Sequence, residues 1–547
     1  MISRAQTIQE IKDASFDVCV IGGGATGAGC ALDAQLRGLR TLLIDAGDFA
    51  SGTSSASTKL VHGGVRYLEQ AVKTFDLAEY RLVQGALRER AAMLRNAPHL
   101  AHAAAFLVPV YSWFQATYFR IGLKIYDLLA GKKNLFPSKF LAKGEVAARL
   151  PGLKNSGLHG AVAYADGQFD DARYGMALVR SFVAAGGKAL NYCRAIEFSK
   201  DDKGKISGAA LRDLLGESTF TISVRVAVNA TGPFSDKVRQ MANPQLTPRL
   251  RPSKGSHLLF PHELFDGKDA LLVPETEDKR VIFAVPWQGR LLVGTTEDEA
   301  TLETKLAVVK TEADYMLRQL NPYLARPLRI EQAVSGFAGL RPLVAGSGKH
   351  STKELIRDHE VEIDSTSGLI SILGGKWTTH RLMAEDTVNA VQRALGAAVS
   401  ASKTEEHALD GAAGFTSSYW ENLVKEGAMP QLAQHLANKF GTNAVHVFAL
   451  TREDSTLLLP LVEGFPAIRA EVVYCAREEM AQTIEDILAR RLGLQLYDWR
   501  LSIAAAPIVG ELLARELQWP ERKKTAAISG YVEKIRGFLR EIGLREA

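Results

Sequence analysis

Residues 16–48 read FDVCVIGGGATGAGCALDAQLRGLRTLLIDAGD, and the order of residue types in that stretch leaves few folds open. Val18 to Ile21 is an apolar run suited to a buried strand, and Thr41 to Ile44 is a second one ending in Asp45. Between them the turn Gly22-Gly23-Gly24-Ala25-Thr26-Gly27 opens a helix that Gly38 can close. Strand, glycine turn, helix and strand in this order form the βαβ unit that binds dinucleotides. Gly22 permits the tight turn, Gly24 lets backbone N–H groups approach a pyrophosphate, and Gly27 lets helix and strand pack closely. The helix N-terminus turns its unbonded N–H donors and positive dipole end on the phosphates. Asp45, 18 residues beyond Gly27, is placed to accept a hydrogen bond from a ribose hydroxyl.

At 547 residues the chain is long for one domain; about two to four are expected. With 46% hydrophobic and 23% charged residues it has the composition of a globular protein with a large core. A net charge of +5 is small for this length and argues against a dedicated nucleic-acid binder. Cys19, Cys30, Cys193 and Cys475 are scattered, with no C-x-x-C and no metal-ligand spacing, so a reducing compartment without disulfides or a structural metal is expected. The first residues, MISRAQTIQEIKDAS, lack an apolar secretory core. No run reaches the roughly 18 apolar residues of a membrane span. The protein is expected to be soluble or to sit on a membrane without crossing it.

The hydroxyl-rich run from Phe49 to Lys59 follows Asp45 directly and reads as a surface loop or a loop that bonds a cofactor. It leads to Leu60–Leu68, where Gly63-Gly64 permits close backbone approach beside His62, Arg66 and Tyr67. Thr74 to Asn96 is helical in pattern. Residues 106–143 mix Trp113, Phe114, Tyr118, Phe119, Ile121, Leu123, Ile125 and Tyr126 with Arg120, Lys124, Lys132, Lys133, Lys139 and Lys143. Apolar anchors with cations suit a helix on an anionic membrane surface; a core helix with a solvated basic face has the same composition. Asp170 caps a helix running to Gly187, and Ala189–Phe198 reads as a strand. A β-rich stretch spans Arg251–Thr296, a helix Thr311–Leu320, and strands lie around Leu355–Ile363 and Leu369–Leu373. Beyond the small-residue linker Ala397–Thr404, residues 410–547 are helical in pattern and read as a separate domain, Ala470–Arg491 and Trp499–Leu517 being the clearest amphipathic segments.

The nucleotide unit is completed only by distant segments: Val226–Gly232, ending in Ala230-Thr231-Gly232, and Leu369–Thr378, containing Gly374-Gly375-Lys376-Trp377-Thr378. NAD enzymes usually keep their two halves contiguous, so the interruption favours FAD, gripped at several places. The series GGGATGAG, GTSSASTKLVHGGVRYLE, NATGPFSD, KGSHL, GLRPL, IRDHEV and GGKWTTHR resembles the FAD-dependent glycerol-3-phosphate dehydrogenases, membrane-associated respiratory enzymes. The resemblance runs in order from about residue 14 to 395, with the family's helical C-terminal domain after it. It implies an α/β fold: a Rossmann-like FAD-binding domain of glutathione-reductase or D-amino-acid-oxidase type (residues 14–100, 165–250 and 330–396), a β-rich substrate domain with a membrane-facing segment (101–164 and 251–329), and an all-helical C-terminal domain (405–547). The implied FAD contacts are Gly22, Gly24, Gly27, Asp45, Thr53, Ser54, Ser55, Lys59, His62, Gly63, Gly64, Ala230, Gly232, Gly374, Gly375, Lys376, Trp377 and Thr378.

Oxidising a secondary alcohol on a phosphorylated three-carbon unit needs a phosphate clamp, a base and a hydride acceptor. The planar arginine fork suits the first, and Arg66, Arg341 and Arg357 match the family's pocket arginines, with Tyr67 beside them. His257 and His62 compete as the base, both able to titrate near neutrality. His257 matches the substrate face and His62 the flavin side; Lys376 is placed to hold the hydroxyl or the flavin, and Arg341 to steady a forming alkoxide. The resemblance implies glycerol 3-phosphate as substrate, ubiquinone or menaquinone as acceptor, an anionic membrane surface as partner and no metal; it leaves a homodimer open. The loop after Glu69 resembles the mitochondrial form, yet no transit peptide and no D-x-D-x-D-G loop are seen, so a peripheral protein on the cytoplasmic face of a bacterial inner membrane is expected. The rival readings are an oxygen-using glycerol-3-phosphate oxidase, an amino-acid oxidase, and a membrane-surface flavin-binding protein without this activity.

Overall fold

The computed structural model describes residues 4–64, 77–273, 276–278, 280–345 and 359–545. Ser15–Ile21 is the centre of an eight-stranded sheet, pairing in parallel with Thr41–Ile44 on one side and Thr219–Asn229 on the other. The order across the sheet is His359–Ile363, Ile370–Gly374, Thr219–Asn229, Ser15–Ile21, Thr41–Ile44, Lys188–Leu190, with the Cys193–Lys200 and Ile206–Asp213 hairpin attached to Thr219–Asn229. Strands buried on both faces read as continuous apolar runs, and these do. Val18 and Val20 face a core shared with the helices Ala25–Leu36, Asp171–Ala184 and His380–Ala394. Cys19 and Ile21, pointing the other way by the two-residue period of a strand, pack against the hairpin residues Phe198 and Leu211.

A second, ten-stranded sheet runs Asp298–Glu299, Leu250–Pro261, Arg290–Gly294, Ile282–Trp287, Ala270–Val273, Ala101–Val110, Gly160–Phe169, Leu60–Val61. Ser335–Val344 also pairs with Leu250–Pro261, and Lys139–Ala142 with Gly160–Phe169. Sheet membership cuts across the expected boundaries: Leu60–Val61, the end of Gly160–Phe169 and Ser335–Val344 all belong to this second sheet. An apolar run announces a strand but not its partner. The strand expected over Ala189–Phe198 is two, broken where Tyr192 takes φ +50° so that its hydroxyl reaches Asp486.

The C-terminal region contains helices Pro430–Phe440, Ala444–Glu453, Arg469–Glu478, Trp499–Leu517 and Glu521–Glu541. The amphipathic segment expected over Ala470–Arg491 stops after Glu478, passes Met480 at φ +56°, and resumes as a π-helical turn at Asp486–Arg491. The break lets Glu479 turn inward to pair with Arg173 at 2.5 Å. The expected all-helical C-terminal domain packs on the second sheet: one apolar core runs from Leu258 and Phe260 in that sheet to Leu436, Val472 and Trp499 in the helices. Among the described residues no helix is long and apolar enough to cross a membrane. All four cysteines are unpaired and buried.

Candidate active site

Where the Ser15–Ile21 and Thr219–Asn229 strands end side by side, their following turns diverge and leave the crevice in which open α/β sheets bind ligands. The crevice opens into a cavity of about 1260 Å³. Ordinary small-molecule pockets are about 300–1,000 Å³, so there is room for an extended cofactor and a second molecule. One wall is the carboxyl end of the first sheet. The other is the second sheet, through His257 and Arg341, and the helix Trp113–Ala130, through Phe119, Ile121, Leu123 and Ile125.

At the nucleotide turn the chain leaves no room for side chains. Gly22 has φ +106°, and a Cβ there would lie 2.5 Å from the Ala230 carbonyl oxygen; one on Gly27 would lie 1.7 Å from the Gly22 oxygen. The Ala25 N–H donates to Ser54 Oγ at 2.9 Å, which brings the hydroxyl-rich loop onto the start of the helix. The Asp45 carboxylate accepts from Gly23 N–H at 2.6 Å and Gly47 N–H at 2.7 Å, one bond on each oxygen. A carboxylate oxygen has two lone pairs, so each can also receive a ribose hydroxyl. Burial pushes the Asp45 carboxyl up to about 6, against the two N–H bonds that hold it down. Gly374 and Gly375 take φ +72° and +82°, turning the chain back toward the cavity. Trp377 Nε1–H then donates to the Ser54 carbonyl at 2.8 Å and fastens this turn to the same loop.

At the opposite wall His257 is buried, with Nε2 3.0 Å from Thr58 Oγ1 and Nδ1 lacking a hydrogen-bond partner among the described residues. Burial, then the charges of Arg341 and Lys59, hold its imidazole well below the usual histidine value. Arg341, on the paired strand, donates to Thr295 Oγ1 at 2.8 Å and to the Thr296 carbonyl at 3.2 Å. Its guanidinium lies across Gly255, where a Cβ would meet it at 2.3 Å. Behind the His62-Gly63-Gly64 turn, Gly63 N–H donates to Tyr126 Oη at 2.8 Å, and that hydroxyl donates to Asp166 at 2.9 Å. Arg90 closes the buried cluster at 2.7 Å from Asp166.

Of the residues singled out in the sequence, Gly22, Gly24, Asp45, Thr53, Ser54, His62, Gly64, Ala230, Gly232, Gly374, Gly375, Lys376, Trp377 and Thr378 line the cavity together with His257 and Arg341. Gly27, Ser55, Lys59 and Gly63 are not on its wall. Gly27 serves the helix–strand contact, and Ser55 offers its carbonyl to Lys59 at 2.7 Å. Lys59 is turned into the core, 2.6 Å from Asp171 and 4.8 Å over the Phe337 ring, and braces the loop from within. Gly63 spends its N–H on Tyr126. Arg66, Tyr67 and Arg357 lie outside the described residues. Sequence reasoning missed Thr58, Thr295, Thr296 and the apolar arm made by Phe106, Leu272 and Phe283 with the Trp113–Ala130 helix. Gly294-Thr295-Thr296 was findable as a second hydroxyl run after an apolar strand; the apolar arm has no local signal.

Residues 17–381 match the family model of the FAD-dependent oxidoreductases, and residues 402–524 match the C-terminal domain of alpha-glycerophosphate oxidase. A mitochondrial glycerol-3-phosphate dehydrogenase of Bos taurus is 39% identical over 98% of this chain and 75% of its own. One of Arabidopsis thaliana is 37% identical over 96% of this chain and 86% of its own. The glycerol-3-phosphate dehydrogenase of Bacillus halodurans, solved in complex with FAD, superposes with a TM-score of 0.80 at 29% identity, covering 100% of this chain and 99% of that one. A glycine turn that admits no side chain and an acid fixed by two N–H groups share one cavity with a buried histidine and an arginine, and with this likeness along its whole length the chain belongs to the FAD-dependent glycerol-3-phosphate dehydrogenases.

Proposed function

We propose that the protein oxidises sn-glycerol 3-phosphate to dihydroxyacetone phosphate with FAD and delivers the electrons to a membrane quinone. The observation that carries this is the placement of His257 and Arg341 on paired strands facing the cavity that the Gly22–Gly27 turn also faces. The turn holds the pyrophosphate and Asp45 the adenosine ribose. Arg341, aimed by Thr295 and Thr296, takes the substrate phosphate, and the family resemblance assigns Arg66, Tyr67 and Arg357 to the same clamp. FAD, when bound, supplies the two-electron acceptor for hydride from carbon 2 and a path for the pair to the quinone. His257 takes the hydroxyl proton. Its imidazole is neutral at neutral pH, the form a base needs, because burial and two nearby cations disfavour the imidazolium. A phosphate dianion on Arg341 cancels part of that repulsion, so substrate binding raises the proton affinity of the base. His62 and Lys376 are placed at the flavin side.

The quinone reading rests on the Trp113–Ala130 helix. Trp113 is 66% exposed, Phe114 79%, Ile121 59% and Leu128 80%, whereas Leu123 and Tyr126 are buried in the core beneath. Ile121 also lines the cavity, next to the apolar arm. The exposed apolar face is therefore continuous with the interior, which is what a lipid-confined acceptor requires. Lys132 and Lys133 are exposed at the helix end and suit anionic head groups. Lys124 is less available than its position in the sequence implies, donating to the Ser138 carbonyl at 2.6 Å. We accordingly place the protein peripherally on a membrane, the cytoplasmic face of a bacterial inner membrane being the expected one.

The test is anaerobic addition of glycerol 3-phosphate to purified protein, followed by a short-chain ubiquinone or by oxygen. Bleaching of the flavin, then recovery with ubiquinone, is expected. No bleaching overturns the substrate; rapid peroxide formation overturns the quinone and favours an oxidase.

A further inference from the structure

The loop that carries the ribose acid is held from outside the nucleotide unit. Asp48, three residues after Asp45, is 1% exposed and is paired with two arginines from the far end of the chain. Arg491 grips it bidentately, Nη1 to Oδ2 at 2.9 Å and Nη2 to Oδ1 at 2.9 Å. Arg490 Nε–H donates to Oδ2 at 2.7 Å, and Asn191 Nδ2–H to Oδ1 at 3.2 Å. The other side of the loop is tied to the same region. Asp45 O accepts from Cys193 N–H at 2.7 Å and Gly47 O from Tyr192 N–H at 2.8 Å. Tyr192 Oη–H then donates to Asp486 at 2.6 Å, and Asn191 Nδ2–H to the Met480 carbonyl at 2.9 Å. Glu479, Asp486 and Asp48 face Arg173, Arg490 and Arg491, a charge-balanced set buried away from water.

We propose that the C-terminal helical region is a clamp on the cofactor, with Arg490 and Arg491 acting as positioning residues that fix Asp45 through Asp48 and so set how slowly FAD is released. The proposal rests on the assignment of Asp45 to the adenosine ribose. A buried, bidentate arginine–carboxylate pair cannot be half broken without stranding a charge, so the Asp45–Asp48 loop has one position while the clamp is closed. A carboxylate pre-set in the position a ligand needs binds it without an ordering cost. The π-helical turn has a purpose in this reading: it brings the adjacent side chains Arg490 and Arg491 to the same carboxylate.

The experiment measures FAD release from the holoenzyme by the recovery of flavin fluorescence on dilution. In the double variant D48N/R491M both members of the pair are neutral, while Arg490 keeps Asp486 and Glu479 keeps Arg173, so no charge is stranded. Release at least tenfold faster than in the parent is expected, with the visible circular dichroism of the bound flavin and the KM for glycerol 3-phosphate unchanged at saturating FAD. R491K retains the charge without the fork and is expected to fall in between; it carries the test if the double variant does not fold. Release within twofold of the parent overturns the clamp, as does faster release accompanied by a changed KM and flavin spectrum, which is general loosening. D45N separates the two readings. If D45N leaves release unchanged, the ribose assignment fails; if D45N accelerates release and the clamp variants do not, the clamp alone fails.

Discussion

The imidazole of His257 lies flat on the ring of Phe337, with centroids 4.6 Å apart and planes 12° from parallel. The aromatic ceiling and burial disfavour an imidazolium there, and burial acts the same way on two further histidines, lowering His380 to about 4 and His99 to about 3. Unfolding returns each ring to about 6.5. Between that value and the folded one, the unfolded chain binds protons that the folded chain refuses, so these histidines contribute stability above about pH 6.5 that is lost as the pH falls. Each proton steepens the loss by about 1.4 kcal/mol per pH unit. Urea unfolding between pH 7 and 5 should show stability falling toward acid, and His380→Gln should reduce that slope by about one proton. An unchanged slope would mean that His380 takes up protons in the fold as readily as in the unfolded chain.

Arg341 is held by a hydroxyl and a carbonyl with its guanidinium over Gly255. Lysine has the charge but not the fork, and charge-assisted hydrogen bonds are each worth roughly 1.5–3 kcal/mol. R341K is therefore expected to raise the KM for glycerol 3-phosphate about 10- to 100-fold, with the bound flavin spectrum intact. A KM within threefold of the parent removes Arg341 from the phosphate.

The nucleotide turn tolerates no addition. In G27A the new methyl would lie 1.7 Å from the Gly22 carbonyl oxygen, a backbone atom with nowhere to go. The helix must move off the strand, and with it the N–H groups that face the cavity. The variant is expected to purify without flavin absorbance and to regain little on incubation with FAD. A yellow G27A protein would show that the helix can shift without opening the turn.

What was legible in the sequence was local. The spacing from Gly22 to Asp45 fixes a strand, a turn, a helix and an acid, because each is a short-range consequence of φ, periodicity and side-chain type; the structure has the strands at Ser15–Ile21 and Thr41–Ile44 and the helix between them. Asp170 as a cap was equally readable, its carboxylate accepting from Arg173 N–H at 3.1 Å. Pairing across distance was not readable. Nothing near Leu60-Val61 says that it joins Gly160–Phe169 rather than the nucleotide sheet, and nothing near Arg490 says that Asp48 is its partner. Lys59 shows the cost of reading a residue by its neighbours: in a loop rich in cavity-facing hydroxyls, its long side chain turns inward.

That inward turn makes Lys59 a stability residue. Its ammonium pairs with Asp171 at 2.6 Å, with both side chains buried. Removing one partner of a buried pair strands the other, at a cost of about 3–5 kcal/mol. Lys59→Met should lower the urea-unfolding free energy by that amount, and the double variant K59M/D171N should recover part of it. A loss below 1 kcal/mol, measured on the single variant, would show that water reaches Asp171 and that the pair is not sealed.

The exposed face of the Trp113–Ala130 helix sets the last prediction. Burying a large apolar side chain is worth about 1.5–3 kcal/mol, and Phe114, Ile121 and Leu128 together leave a surface that water alone does not favour. Each is exposed on the helix, so the triple variant F114S/I121S/L128S removes the anchors while the inward Leu123 and Tyr126 still hold the helix to the core. Sedimentation with anionic vesicles should fall at least tenfold, and oxidation of glycerol 3-phosphate with a water-soluble dye should be unaffected, since none of the three is assigned to the substrate or to the flavin. Replacing Lys132 and Lys133 with Glu should weaken binding to anionic vesicles only, and the weakening should vanish in high salt, because head-group attraction is screened and apolar burial is not. If the triple variant still sediments with vesicles, this helix is not the docking face, and its continuity with the cavity would no longer support a quinone entering there.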